Sequence, residues 1–187
     1  MGISLVASQI ASALGSFEPQ KRNIWTIEIP GVLQSDILEL SLRQGFLPTE
    51  TNEEHEIPLG NERVYYAGKA RYEAGTIICG DYVDRDIASI ISQWRTTVYD
   101  PATGIVNYAS VYKKQASIVV AASDGTLQRV WNLLGCWPEA VHYGDLDMSN
   151  AEQVLISVTL RYDKALNVGS FATSLPTLSP QFTQLGA

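Results

Sequence analysis

Residues 153–163, QVLISVTLRYD, form the most regular hydrophobic pattern in the chain. Every second side chain is large and apolar, and these side chains share one face: Val154, Ile156, Val158, Leu160 and Tyr162. An alternation with period two is typical of a β-strand that buries one face and exposes the other. The sequence therefore predicts a long strand here, at the C-terminal end of the folded domain.

Shorter segments upstream indicate further strands and a mainly β protein. In residues 113–122, Ile118 and Val120 would share one face in the same way. Turn residues at Pro30-Gly31 and Asp124-Gly125 separate some of these segments. The other predicted strands are residues 23–30, 37–44, 62–68, 75–82 and 126–134.

One segment follows a different period. Its apolar residues recur at three- and four-residue intervals, as on one face of a helix: Ile87, Ile90, Ile91, Trp94 and Val98. Asp84 or Asp86 can cap the first amides. The order of elements along the chain is strands, then one helix, then further strands. This order favours an antiparallel β-barrel or sandwich with one flanking α-helix, rather than βαβ units.

Three segments fall outside these patterns. Residues 1–16 and 164–187 are predicted to be extended N- and C-terminal arms, which leaves 17–163 as the β domain. Residues 48–60 carry no Lys or Arg and predict a long exposed loop, either solvated or used for contacts. This loop contains four glutamates: Glu50, Glu53, Glu54 and Glu56.

The composition of the 187 residues narrows the class of protein. Only 18% are charged, against about 25% in a typical chain, which favours a subunit that hides surface against its own copies. The net charge of −7 argues against dense phosphate contacts with nucleic acid. No apolar run is long enough for a membrane-spanning helix. Cys79 and Cys136 are expected to be free, buried thiols.

Signals for catalysis or metal binding are weak throughout. Cys136 and His142 could pair as nucleophile and base, but a structural thiol is the stronger interpretation. Asp145 to Ser149 begins like a calcium loop, yet Asn150 stands where that loop needs glycine. No Gly-rich phosphate loop is present. We therefore expect no enzymatic activity, no cofactor and no metal site.

The four tryptophans allow two interpretations. They could line a ligand pocket, or they could pack in the core and at subunit contacts. Their regular apolar registers favour packing. The four are Trp25, Trp94, Trp131 and Trp137.

Residues 131–163, WNLLGCWPEAVHYGDLDMSNAEQVLISVTLRYD, resemble the C-terminal signature of tail tube proteins of contractile-tail bacteriophages. That family shows a Trp-Pro turn after a small residue, a Gly-x-Leu-Asp segment, and a last strand ending in Arg/Lys-Tyr-Asp. The matching residues here are Trp137, Pro138, Gly144, Asp147, Tyr162 and Asp163. The segment NIWTIEIPG, and the helix followed by YDPATG, also resemble the family in their order.

The resemblance implies a β-barrel subunit that forms homo-hexameric rings, and these rings stack into a hollow tube inside a contractile sheath. The implied partners are the sheath, baseplate and tail-terminator proteins, a tape-measure protein in the lumen, and DNA that passes without specific binding. The subunit would be part of the virion, assembled in the host cytoplasm, and not inserted in a membrane. The strands with Ile118, Val120, Val154, Ile156, Val158 and Leu160 would form the inner barrel. The glutamate-rich loop would contact the next ring, so deleting Thr49 to Glu56 should leave hexamers but few long tubes.

Other functions stay open on the sequence. The terminal arms are compatible with a specialised end ring, such as the tube initiator of a baseplate. A tailocin or a type VI-like machine would use the same fold. A monomeric β-barrel that binds an apolar ligand, or a hydrolase using Cys136 or the Asp145/Asp147 pair, would belong to a different class.

Overall fold

The computed structural model describes residues 20–32, 34–149 and 151–169. The predicted N-terminal arm lies outside the described residues, and so does the predicted C-terminal arm beyond Gly169. Three helices are described: α1 Ser35–Ser41, α2 Ile87–Val98 and α3 Ala109–Tyr112. The strands are β1 Trp25–Glu28, β2 Leu42–Gln44, β3 Glu50–Leu59, β4 Glu62–Tyr72, β5 Gly75–Gly80, β6 Tyr99–Asp100, β7 Ile105–Val106, β8 Lys114–Ala121, β9 Leu127–His142, β10 Leu155–Arg161 and β11 Lys164–Asn167.

The main sheet has seven strands in the order β1-β8-β9-β10-β5-β2, with β11 also paired to β9. Every pairing is antiparallel, and the sheet curls into a half-barrel. The 16-residue strand β9 joins its two parts, because its first part pairs with β8 and β11 and its second part pairs with β10. The predicted mainly β, antiparallel fold is confirmed.

The core lies between one face of the sheet and helix α2. The side chains of Ile156, Val158 and Leu160 on β10 have no exposed surface, and Ile118 on β8 retains 1%. All five apolar positions predicted for the helix face are buried in α2. The alternation in residues 153–163 therefore marks core positions, as predicted.

At the start of helix α2, two aspartates accept hydrogen bonds from its first backbone amides. Asp86 Oδ1 accepts a hydrogen bond from Ser89 N at 2.8 Å, which confirms one of the two predicted caps. Asp81 Oδ1 accepts from Ile87 N at 3.1 Å, a bond that the sequence did not suggest. Together they satisfy two donors that a helix start leaves unpaired.

The predicted strand at 37–44 is wrong over most of its length. Residues Ser35–Ser41 form helix α1, and only Leu42–Gln44 form a strand. Leu38 is buried whereas Leu40 is 75% exposed, so the alternating leucines do not share a face. Leu38 and Ser41 are both buried, at the three-residue spacing of a helix, and Ser41 Oγ donates to Leu38 O.

The predicted loop at 48–60 is also wrong, because residues 50–72 form a β-hairpin. Strand β3 pairs with β4 from Glu50↔Tyr72 to Leu59↔Glu62, around the two-residue turn Gly60-Asn61. Gly60 has φ +64°, as such turns require. The hairpin shows no apolar alternation against a core because, apart from Tyr72 at its root, it does not pack on the core of its own subunit.

Two further predictions, on the Trp-Pro segment and on the number of helices, differ from the structure. The Trp-Pro segment is not a turn, since β9 runs through Gly135 to Pro138 without ending. Three helices stand where one was predicted, but α1 and α3 have only seven and four residues. None of these helices is long and apolar enough to cross a membrane, in the residues the structure describes.

Candidate assembly surfaces

The β3–β4 hairpin projects from one end of the main sheet. Gln44 pairs with Ile78 and Glu50 pairs with Tyr72, so the hairpin continues the ladder of β2 and β5 in the same register. Its strands have 10 and 11 residues, a length of roughly 33–36 Å at about 3.3 Å per residue. Every residue of the hairpin strands except Tyr72 is exposed.

The two faces of the outer half of the hairpin differ in character. One face carries four exposed apolar side chains, which we call the apolar hairpin face: Ile57, Leu59, Val64 and Tyr66. The opposite face is mixed: it carries Glu54, Glu56 and Arg63 together with Pro58 and the exposed Tyr65, and Arg63 Nη1 lies 3.3 Å from Glu56 Oε1. Nearer the sheet, Tyr72 OH donates to Glu50 Oε1 at 3.2 Å. Partial desolvation and then the Glu50 carboxylate raise the pKa of Tyr72.

A cluster of aromatic rings supports the root of the hairpin. Tyr162 follows β10 and is 3% exposed. Its ring stacks on Phe46 at 6.0 Å and lies 6.2 Å from Tyr72. Burial raises the pKa of the Tyr162 hydroxyl. Of the residues that carry the resemblance, Tyr162 is thus the one that connects the last core strand to the hairpin.

The other residues of the resemblance surround a bulge in β9, where the register with β8 shifts between Leu133 and Cys136 and the strand bends. Gly135 has φ +67°, and a Cβ there would overlap the carboxylate of Asp163. That carboxylate accepts from Lys113 Nζ. Pro138 is fully buried, and the Trp137 ring meets Tyr112 edge-on at 5.8 Å. Their role in the structure is to shape the sheet.

Gly144 and Asp147 shape the loop that follows β9. Gly144 has φ +90°, and a Cβ would lie 2.7 Å from Val154 Cγ1. Asp147 Oδ1 accepts from Ser149 N and Oγ at 2.9 and 2.7 Å, and these bonds lower the pKa of Asp147. Asp147 thus forms hydrogen bonds within its own turn, and Asn150 lies outside the described residues.

The strands proposed for the inner barrel lie inside the sheet. β8 pairs with β1 and β9, and β10 pairs with β9 and β5, so both have neighbours on both sides. The apolar side chains predicted for the inner barrel point into the core, apart from the half-buried Val120 and Val154. In the part of the chain that the structure describes, the outer edges of β1, β2 and β11 pair with no further strand.

The ends of the curled sheet approach each other without pairing. Thr26 Oγ1 on β1 donates to Glu39 Oε1 on α1 at 2.6 Å, and the Trp25 ring closely covers Gly45. Between them lies a groove of about 540 Å³ that also has Lys21 and Arg22 in its wall. Of the four tryptophans, Trp94 is buried in the core, and Trp25 and Trp131 pack against it.

The candidate catalytic groups are not arranged for catalysis. Cys136 and Cys79 are free and have no exposed surface. Burial raises the pKa of Cys136 to about 12 and that of Cys79 to about 11, which disfavours a reactive thiolate. His142 is exposed and lies 3.8 Å from Asp145. Within the described ranges, no three His, Cys, Asp or Glu side chains are grouped to hold a metal ion.

The curled sheet with its flanking helix and hairpin is similar to solved structures from contractile injection systems. A chain of the anti-feeding prophage cap, a tube-terminating cap, matches with a TM-score of 0.65 and 14% identity, over 82% of this chain and 93% of that one. This chain has a contractile-tail tube fold. A chain of the six-fold symmetrised anti-feeding prophage baseplate matches with a TM-score of 0.63 and 12% identity, over 83% of this chain and 99% of that one. A third, from the sheath–tube complex of the extracellular contractile injection system PVC, matches at 0.60 and 15%, over 89% and 99%.

The tube fold confirms the family resemblance at the level of architecture. No protein-family model matches the sequence, and no curated protein is similar to it in sequence. At these identities the likeness is one of fold. The tube fold therefore limits which functions the surfaces described above can serve, and those functions are argued from the surfaces themselves.

Proposed function

We propose that this chain is a structural subunit of a contractile-tail tube. Six copies form a ring, and rings stack into a hollow conduit inside a contractile sheath. The observation that carries the proposal is the tube fold with its projecting hairpin. The six-fold symmetry of the similar baseplate structure supports a hexameric ring.

The exposed hairpin supports assembly independently of the likeness. A two-stranded hairpin without a core behind it is marginally stable in water. Here it extends by roughly 33 Å and exposes apolar side chains on one face. Contact with another subunit would cover this face, so the hairpin is the candidate for contact between rings.

Contacts within a ring would use the free strand edges. Open edges invite pairing with another chain, and ring closure removes them. Because β8 and β10 are interior strands, they would contribute to an inner barrel as part of the sheet, while β1, β2 or β11 would meet the neighbour. The strands carrying Ile118 and Val158 would thus belong to the barrel without forming its seams.

The face of the sheet opposite the core suits the lining of a conduit. Ser117 on β8 donates to Asn132 on β9, and the hydroxyls of Thr76 and Thr159 lie 3.5 Å apart. These side chains are small and uncharged. Arg161 and Lys164 share this face, and so does Glu28, which is paired with Ser117. Such a lining makes few phosphate contacts, so DNA could pass without being held.

The remaining parts of the proposal follow from this role. The subunit would meet a sheath protein on its outside, baseplate and terminator proteins at the tube ends, and a tape-measure protein in the lumen. It would assemble in the host cytoplasm and become part of a phage tail. In a tailocin or a type VI-like machine the subunit would have the same structural role, and the tube would carry a different cargo.

Negative-stain electron microscopy of the purified protein tests the proposal. We expect rings with six-fold symmetry, and tubes of stacked rings at higher protein concentration. Light scattering on the same sample gives the mass in solution. A protein that remains monomeric in both measurements contradicts the proposal and favours the alternative of a monomeric ligand-binding barrel, with the groove beside Trp25 as its candidate site.

A specialised ring at a tube end is the second candidate. The similar structures include a tube-terminating cap and a baseplate as well as a sheath–tube complex, so the fold is compatible with an end position. An end ring has one face that does not stack on copies of itself. Isolated rings or ring pairs that never grow into tubes would favour this candidate over the main tube subunit.

A further inference from the structure

The core of the subunit opens to the surface at the groove between the two end strands of the sheet. This groove has a volume of about 540 Å³ and lies between β1 and β2. Its floor is apolar, because Ile118 and Val120 stand on the core-facing side of β8. Its sides also present apolar surface, since Leu47 is 52% exposed and Trp25 and Phe46 are half-buried. A further segment that covers the groove would remove this surface from water.

The charged side chains in the groove wall are all basic. The wall contains three basic residues and none of the acidic residues that the structure describes: Lys21, Arg22 and Arg43. The Arg43 guanidinium is bonded on its other side, where Nη2 donates to Tyr82 OH at 2.9 Å and to Gln153 Oε1 at 3.1 Å. Glu39, on the helix before β2, accepts from Thr26. A segment with basic side chains would be repelled here, whereas an uncharged or weakly acidic segment would fit.

The chain reaches the groove from its N-terminal side, because residues 20–22 form part of the wall. Gln20 Nε2 donates to Ala121 O at 2.7 Å, and Ala121 N donates to Ile24 O at 3.1 Å. These bonds fix the start of the described chain against the end of β8. Nineteen residues precede Gln20 in the sequence. Phe17 is only three residues away, a reach of at most roughly 10 Å.

We infer that residues 14–19 cover the groove of their own subunit, with the side chains of Leu14 and Phe17 on its apolar floor. Residues 1–19 contain one charged side chain, Glu18, and no Lys or Arg, which suits the basic wall. In this position the segment bridges β1 and β2 and completes the closure of the half-barrel. It also covers strand edges that otherwise invite uncontrolled pairing.

The C-terminal segment, residues 170–187, is the less suitable occupant. Val168 N donates to Val130 O at 2.8 Å, so the described chain ends beside β9. β9, β8 and β1 are successive neighbours in the sheet, and β11 therefore lies three strand spacings from β1, about 14 Å along the sheet. A segment of another copy would have to compete with one that is tethered at the groove wall, at an effective concentration on the order of millimolar.

Cysteine cross-linking in the full-length protein tests which segment covers the groove. The variant Ser16→Cys with Leu47→Cys keeps Leu14 and Phe17 in place. It is treated with a short bismaleimide in the folded state, then digested and analysed by mass spectrometry. We expect a link between the two introduced cysteines. The native thiols are buried and should not react in the folded subunit.

Two controls define the origin of the link. The matched variant Ser174→Cys with Leu47→Cys carries the cysteine in the C-terminal segment and should give no link. Isotopically labelled and unlabelled copies of the Ser16 variant are also mixed before the reagent is added. Links should join residues of one chain, so no cross-linked peptide should combine a labelled with an unlabelled half.

Replacement of the two apolar side chains tests whether they cover the groove. Leu14→Gln with Phe17→Gln should raise the fluorescence of the dye ANS about threefold, because the dye binds apolar surface that becomes accessible. The matched control, Phe171→Gln with Leu175→Gln, changes two apolar residues of the C-terminal segment. It should leave the dye fluorescence unchanged.

Several results would overturn the groove contact. These are a link from the Ser174 variant instead of the Ser16 variant, a link between labelled and unlabelled chains, no link at all, or unchanged dye fluorescence after replacement of Leu14 and Phe17. All of these measurements use the soluble subunit. A wild-type protein that forms neither rings nor tubes overturns the proposed tube function, and the cross-links still decide the groove contact.

Discussion

The Nζ atom of Lys113 lies 2.7 Å from each carboxylate oxygen of Asp163. The pair spans the bend in β9, because Lys113 precedes β8 and Asp163 stands between β10 and β11. Asp163 N also donates to Leu134 O at 2.8 Å. The carboxylate occupies the space where a side chain on Gly135 would lie. One acidic residue therefore joins three strands at the point where the sheet turns.

The first prediction concerns the bend itself. Gly135→Ala introduces a Cβ at φ +67° that also overlaps Asp163. The left-handed backbone costs about 1–2 kcal/mol, and relieving the overlap costs roughly 1–3 kcal/mol more. We expect this combined loss in the free energy of unfolding, measured by urea denaturation.

Gly125→Ala is the matched control for the bend. Gly125 has φ +85°, but no atom lies within 4 Å of its added Cβ. It should therefore show only the backbone cost, about 1–2 kcal/mol. Equal losses in the two variants would mean that the contact between Gly135 and Asp163 does not constrain the sheet.

The second prediction concerns the start of α2. Asp86→Ala removes the bond to Ser89 N and should lower the free energy of unfolding by about 1 kcal/mol. Asp84→Ala removes a nearby carboxylate that does not cap the helix and should change stability by less than about 0.5 kcal/mol. Thermal unfolding of both variants distinguishes them, and a larger effect at Asp84 would contradict the assignment of the cap.

The third prediction separates folding from stacking. Replacing Glu56–Tyr65 with Asn-Gly leaves His55 paired with Tyr66 across a two-residue turn. The removed residues contribute nothing to the core, so the subunit should fold and form rings. Long tubes should be lost, as seen by negative stain. This variant is cleaner than deletion of Thr49 to Glu56, which leaves most of β4 without a partner strand. Tubes of normal length would remove the hairpin from ring-to-ring contact.

The fourth prediction concerns alkaline pH. Burial raises the pKa of Cys79 to about 11 and that of Cys136 to about 12, from an ordinary value of 9.0. Above pH 9 the unfolded chain ionises its thiols while the folded chain keeps them protonated. The stability contributed by the neutral thiols is therefore complete below pH 9 and is lost progressively as pH rises towards 11 and 12.

Urea denaturation between pH 8 and pH 11 measures this dependence. The variant Cys79→Ala with Cys136→Ala is less stable at pH 8, because it leaves small cavities, but its stability should fall less steeply with pH. Parallel curves for the two proteins would show that the thiols are not the titrating groups.

The strands and the helix that pack on the core were predictable because their burial leaves a periodic pattern. Ile156, Val158 and Leu160 alternate along β10, and Ile90, Ile91 and Trp94 lie on one face of α2. The leucines at 38–42 alternate by coincidence. Leu40 is exposed, and only the neighbouring elements decide that this segment is a helix.

The hairpin was missed for a related physical reason. Apart from Tyr72 at its root, its residues pack on no core within the subunit, so they carry no burial pattern. The turn pair Gly60-Asn61 was the available signal, because such pairs connect adjacent strands. The four glutamates predicted a polar contact surface, whereas Ile57 and Leu59 form an exposed apolar surface on the other face.

Local periodicity and short motifs, which neighbouring residues carry in full, were enough to predict the strand-rich fold, the core face of β10, helix α2 and the resemblance to tube proteins. The bend of β9 at Gly135, the interior positions of β8 and β10, and the pairing of β3 with β4 in a hairpin appear only in the three-dimensional structure. Those relationships join residues that are far apart in the chain. They are set by hydrogen-bond register and packing, which no local sequence pattern records.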